Sequence, residues 1–227
     1  MQALIKKCPI PLDEMVNNFG LFIDRREMSR IIFMHEIYKM ILPVTGVIME
    51  FGCRWGQNMS LFTAFRGMYE PFNYSRRIIG FDTFSGFTEP SDKDGASKKG
   101  DLPVVEGYEN YLFQVLSRHE IKNPINDVRK FDILKGDASQ RIKDYLTAMP
   151  QTIISLAYFD MDIYEPTKNV LKEIEPYLVK GSILVFDELN HLGYPGETIA
   201  LREVMGLRNL KVQRFPFCTF PSFVIVE

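Results

Sequence analysis

Two acidic clusters stand out in this chain, Asp160-Met161-Asp162 and Asp187-Glu188, each directly after an apolar run that reads as a β-strand. Neighbouring parallel strands lie about 4.8 Å apart, so the four carboxylates converge at one edge of a sheet. That much negative charge in one place is costly without a cation. Oxygen donors of this kind favour a hard divalent ion, with Mg, Ca or Mn ahead of Zn.

Three further places carry polar residues at predicted strand ends, where open α/β sheets bind their ligands. In Glu50-Phe51-Gly52-Cys53-Arg54-Trp55-Gly56 the glycines at 52 and 56 allow a sharp turn and close approach of the backbone to a ligand. A dinucleotide fingerprint would need a glycine where Arg54 stands, which disfavours a nicotinamide enzyme. Asp82 closes the run Ile78-Ile79-Gly80-Phe81 and can accept from both hydroxyls of a ribose, or cap a turn with Thr83 and Ser85. Asp137, after the third strand, can accept from an adenine amino group, cap the helix that follows, or do both. His191 is either a loop histidine at the surface or a base and acceptor contact.

The elements that must position these residues follow from hydrophobic spacing. Strands are expected at Gly46 to Phe51, Arg77 to Phe81, Phe131 to Leu134, Thr152 to Phe159 and Ser182 to Phe186. Helical segments alternate with them: one from near Gln57, then Gly107 to His119, Ala138 to Met149, Tyr164 to Tyr177 and Thr198 to Gly206. This alternation implies a mostly parallel sheet with helices on both faces. Lys211 to Phe215 and Thr219 to Val226 are expected to pair as antiparallel strands at one edge. An amphipathic helix from Glu27 to Leu42 precedes the sheet and serves either core packing or a homodimer. Pro90 to Asp101, without an apolar anchor beyond Ala96, is expected to be a mobile loop, either a solvated connection or a lid.

Composition narrows the class. The 227 residues carry 27 basic and 29 acidic side chains, so no overall positive field exists to hold nucleic acid. Nothing stays apolar for the length of a membrane span, and no signal peptide is apparent. Three widely spaced cysteines, Cys8, Cys53 and Cys218, point to a reducing, cytoplasmic setting.

Taken in order, Ile48 to Gly52 with Gly56, Gly80 to Phe87 (GFDTFSGF), Gly136-Asp137, Asp160 to Thr167 (DMDIYEPT) and Asp187-Glu188 resemble the macrocin O-methyltransferase (TylF-like) family. Those enzymes methylate sugar hydroxyls with S-adenosylmethionine. The likeness runs from roughly Arg25 to Met205 and implies a Rossmann-like class I methyltransferase fold with a seven-stranded sheet over 45–227, preceded by a helical segment, 1–44, packed on the core. It implies cofactor contacts at Glu50, Gly52, Gly56 and Asp82 with Thr83, at Asp137 beside the adenine, and at Asp160. It implies a Mg2+ site at Asp160, Asp187 and Glu188, and Asp162 as general base, with His191 a second catalytic candidate. The family has Asp-Asp where this chain has Asp187-Glu188. The expected reaction is O-methylation of a small molecule, most specifically a sugar or glycosylated natural product. A metal-independent methyltransferase of the same fold and a silent cofactor-binding subunit are the alternatives.

Overall fold

The computed structural model describes residues 1–227. Two short helices, α1 (Gln2–Ile5) and α2 (Leu12–Met15), and a 3-10 turn over Val16–Phe22 contribute no buried side chain. The first element that reaches the core is α3 (Arg25–Ile41), started by a capping box in which Asp24 accepts from the Arg26 amide and Glu27 accepts from the Asp24 amide. Its buried face is Phe33, Met34, Ile37, Tyr38 and Ile41.

Strand and helix then alternate through β1 (Val47–Phe51), α4 (Gln57–Tyr69), β2 (Ile78–Asp82), α5 (Tyr108–Ile121), β3 (Phe131–Lys135), α6 (Ala138–Ala148), β4 (Ile154–Phe159), α7 (Tyr164–Ile174), β5 (Leu178–Phe186), α8 (Gly196–Met205) and β6 (Ser222–Ile225). The sheet order is β3-β2-β1-β4-β5-β6, parallel except for β6 against β5. Helices α3, α4 and α5 cover one face, and α6, α7 and α8 the other. The central strands β1 and β4 are buried at every position, as strands covered on both faces must be.

Phenylalanine is the last residue of β1, β4 and β5 and the last but one of β2. Phe51 is in register with Phe81 and Phe159, and Phe159 with Phe186, and their rings stack at 4.7, 5.2 and 4.8 Å. The residue after each ring is Gly52, Asp82, Asp160 or Asp187. A dry aromatic layer thus fixes the height at which four candidate site residues leave the sheet.

Two expectations are corrected. The sheet has six strands, not seven, because Lys211 to Phe215 joins it only through a bridge between Gln213 and Phe223. Pro216 has no amide to extend a ladder, and the chain turns at once, with the Cys218 amide donating to the Phe215 carbonyl. The segment Pro90 to Asp101 is not a free loop either. Its anchor is polar: Asp94, 1% exposed, accepts from the amides of Ser91 and Tyr164, while Lys93 pairs with Glu203 on α8 at 3.0 Å. Asp94 thereby caps α7, which has no side-chain cap in its own flanking sequence.

Candidate active site

The strand order reverses between β1 and β4, and a cavity of about 430 Å³ opens over the carboxyl ends of the strands there. Glu50, Gly52, Asp82, Thr83, Asp137, Asp160, Asp162, Asp187 and Glu188 all line it. Two expected site residues do not. Gly56 starts α4 in the left-handed conformation, and a Cβ there would meet Leu112 at 2.3 Å, so its missing side chain serves helix packing. His191 stacks on Tyr194 and accepts from the Gly193 amide, beside the cavity but not in its wall.

On the β1–β2 side the cavity is lined by polar groups, some with unused acceptor positions. Gly52, at φ +90°, passes so close to β4 that a Cβ would lie 1.9 Å from the Asp160 carbonyl oxygen. Glu50 is 1% exposed; one carboxylate oxygen accepts from Asn58 at 2.9 Å, and the other has no protein partner. Asp82 accepts from the amides of Arg54 at 2.7 Å and Phe84 at 2.5 Å, leaving further lone pairs free toward the cavity. The Thr83 hydroxyl is committed to its own turn, donating to the Gly86 carbonyl. Asp137 caps α6 through the Ser139 amide and lines the cavity as well.

The β4–β5 side is acidic. Asp160, Asp187 and Glu188 each present an oxygen within 4.8 Å of the others. Glu188 has one buried oxygen without a hydrogen-bond partner. Burial raises the pKa of Asp160, with Asp187 adding to it, and raises those of Asp162 and Glu188 as well; for Glu188 the neighbouring Glu197 and Asp187 add to the effect. Carboxylates that resist ionisation together, with an unused oxygen among them, fit a divalent cation as ligands. Asp162 stands at φ +62°, in the left-handed region, which turns it away from the path of the strand. Arg54, Phe84 and Asn190 share that conformation at the other strand ends, so backbone strain gathers around the cavity.

Sequence reasoning missed Arg30. From the second turn of α3 it reaches across to donate to both oxygens of Asp187, at 2.9 and 3.0 Å, and to Asp160 at 3.1 Å. Burial opposes its charge, but contacts with Tyr158, Asp187 and Asp160 more than offset this and hold its pKa above the ordinary value. No local motif marks it, because its partners lie 130 and 157 residues away. Trp55, 46% exposed in the cavity wall, was signalled only by being the sole tryptophan, set beside the glycine turn.

No protein-family model matches the chain, and no curated relative matches it. Among solved structures, it is similar to calicheamicin methyltransferase CalS11 at 44% identity, covering 99% of this chain and 89% of that one with a TM-score of 0.96. A second structure, described as the apo form of CalS11, TDP-rhamnose 3'-O-methyltransferase, aligns at 42% identity over 99% and 90% with a TM-score of 0.88. The O-methyltransferase NovP, at 16% identity, 87% and 79% coverage and a TM-score of 0.64, shares the fold. At 44% identity over nearly its whole length, the chain belongs to the family of calicheamicin methyltransferase and is an S-adenosylmethionine-dependent O-methyltransferase.

Proposed function

We propose that the acceptor is a hydroxyl on a sugar, carried by a nucleotide or a natural product, and that a divalent metal assists the transfer. The observation that carries the acceptor class is the 42% identity, over 99% of the chain, to a TDP-rhamnose 3'-O-methyltransferase. The metal reading rests on the clustered oxygens of Asp160, Asp187 and Glu188.

In this reading Asp82 accepts from the ribose hydroxyls of S-adenosylmethionine, Asp137 borders the adenine, and Glu50 with Gly52 bounds the amino-acid end. Bound there, the sulfonium supplies an activated methyl group, and a Mg2+ ion on Asp160, Asp187 and Glu188 would lower the pKa of the acceptor hydroxyl. Asp162 accepts the hydroxyl proton as the acceptor oxygen takes the methyl, the carbon–sulfur bond breaking while the carbon–oxygen bond forms. The walls do the rest by holding the two reactants in line, since alignment lowers the barrier without further chemistry. Burial raises the pKa of Asp162 on balance, and His191, standing outside the wall, opposes that rise only in small part. We also propose a homodimer, supported only by the exposed apolar side chains of the N-terminal segment, Leu12, Val16, Phe19 and Leu21.

The test is incubation with S-adenosylmethionine and TDP-rhamnose, with and without Mg2+, followed by mass spectrometry. Transfer of one methyl to the sugar nucleotide, suppressed by a chelator, is the expected result. Methylation that survives exhaustive chelation removes the metal from the reading, and binding of S-adenosylhomocysteine without methylation of any sugar substrate removes the acceptor class.

A further inference from the structure

Asp187 has about four acceptor positions on its two oxygens. Three are in use: one Nη of Arg30 donates to both oxygens, and the Tyr158 hydroxyl donates to Oδ1. The other Nη of Arg30 holds Oδ2 of Asp160. A guanidinium therefore bridges two of the three carboxylates that would ligate a cation, while Glu188 keeps a buried oxygen with no partner. The fold does not demand this contact. The buried apolar face of α3 is Phe33, Met34, Ile37, Tyr38 and Ile41, and Arg30 lies a turn before it with its side chain 29% exposed at the cavity wall.

We infer that Arg30 is a built-in counter-cation of the site, and that a divalent ion binding there competes with it for the carboxylates of Asp160 and Asp187. The inference rests on the metal reading of the preceding section. Ligand bonds to a divalent ion are about 2.1 to 2.4 Å long, so an ion bound to both carboxylates would stand within a few ångströms of the guanidinium, and like charges at that distance repel strongly. Ion and guanidinium thus compete for the same two carboxylates, and metal affinity is set partly by how firmly α3 holds Arg30 in place. Without the ion, Arg30 offsets part of the negative charge of Asp160 and Asp187. Asp187 does not depend on Arg30 for its position, because Tyr158, fully buried on β4, holds it independently.

Mn2+ binding, followed by loss of the free-ion signal in electron paramagnetic resonance, tests this on the full chain in the absence of any acceptor. Arg30→Met, which keeps the aliphatic stem and removes the charge, should bind Mn2+ at least tenfold more tightly than the wild type. Arg30→Lys, too compact at its tip to bridge two carboxylates, should fall between them, and it provides the comparison should the methionine variant misfold. Circular dichroism and S-adenosylhomocysteine binding check that each variant is folded. Binding that is lost in Asp187→Asn but unchanged or weaker in the Arg30 variants overturns this inference and leaves the metal reading standing. No saturable Mn2+ binding in the wild type or the Arg30 variants overturns both.

Discussion

Asp162, in the loop after β4 at φ +62° and in the cavity wall, stands where the proposed mechanism uses a base. If it takes the acceptor proton, Asp162→Asn should lower turnover by roughly 10²- to 10⁴-fold, the usual worth of a positioned general base. The affinity for S-adenosylhomocysteine, measured by calorimetry, should change little, because the proposed cofactor wall is built on the ends of β1, β2 and β3, away from Asp162. Asp82→Asn should do the reverse. The amide group keeps one acceptor for the turn but loses lone pairs facing the ribose, and affinity should fall by about tenfold, as loss of one or two hydrogen bonds entails. Equal effects of both substitutions on binding would contradict the division of labour. Gly52 has a different task. Any Cβ there drives into the Asp160 carbonyl and requires φ +90°, so Gly52→Ala should cost at least about 1–3 kcal/mol in chemical denaturation, whatever it does to catalysis.

Between elements, Glu197 links the two acidic loops. From the first turn of α8, fully buried, it accepts from the amides of Met161 and Asp162 after β4 and from the amide of Glu188 after β5, at 3.3 to 3.4 Å. Glu197→Ala would orphan three buried amides, each costing about 1–3 kcal/mol, and loosen Asp162 and Glu188 together. The expected result is a lower melting temperature with turnover reduced further than cofactor affinity; Glu197→Gln, which retains a carbonyl oxygen, should recover part of the turnover. Recovery of stability without recovery of rate would show that the clamp is structural alone. Such a device is hard to read from sequence. The strand ends were legible, since β1 and β4 are mostly apolar runs and Gly52, Asp82, Asp160 and Asp187 each follow a phenylalanine at or next to the end of a strand. What holds the loops was not, because Glu197 reaches 35 and 36 residues back and Asp94 caps a helix 70 residues ahead. Pro90 to Asp101 reads as mobile for the same reason. Its anchors are polar, the buried Asp94 carboxylate on the amides of Ser91 and Tyr164 and the Lys93–Glu203 pair, and apolar patterning carries no trace of them. Lys211 to Phe215 has strand composition, but its pairing with the outer edge of β6 stops at the single bridge between Gln213 and Phe223, because Pro216 has no amide to extend it.

For the molecule as a whole, the helical segment ahead of β1 divides in two. Residues 1–22 bury nothing, whereas α3 fills the sheet face that β1, β4 and β5 present to it. Ile37→Ala should therefore cost about 2–5 kcal/mol, and Leu12→Ala less than about 0.5 kcal/mol in the monomer, both read by denaturant unfolding. A polar knot at the amino ends of the strands fastens α3 further. Glu70, at the end of α4, accepts from the Tyr38 hydroxyl at 2.6 Å and from Arg76, which itself donates to the carbonyls of Ile41 and Gly46 and to the Ser155 hydroxyl. Burial alone would raise the pKa of Glu70, but the hydrogen bonds from Arg76 and Tyr38 outweigh it and the folded value is lowered. A carboxyl depressed on folding contributes stability above its unfolded pKa, about 4.3, and loses that contribution as pH falls through the folded value. The stability difference between wild type and Glu70→Gln should accordingly be constant from pH 6 to 8, on the order of 1–3 kcal/mol, and shrink below about pH 4. A difference that persists undiminished into acid would mean that Glu70 holds α3 by shape and neutral hydrogen bonds, and that its charge contributes nothing to the attachment.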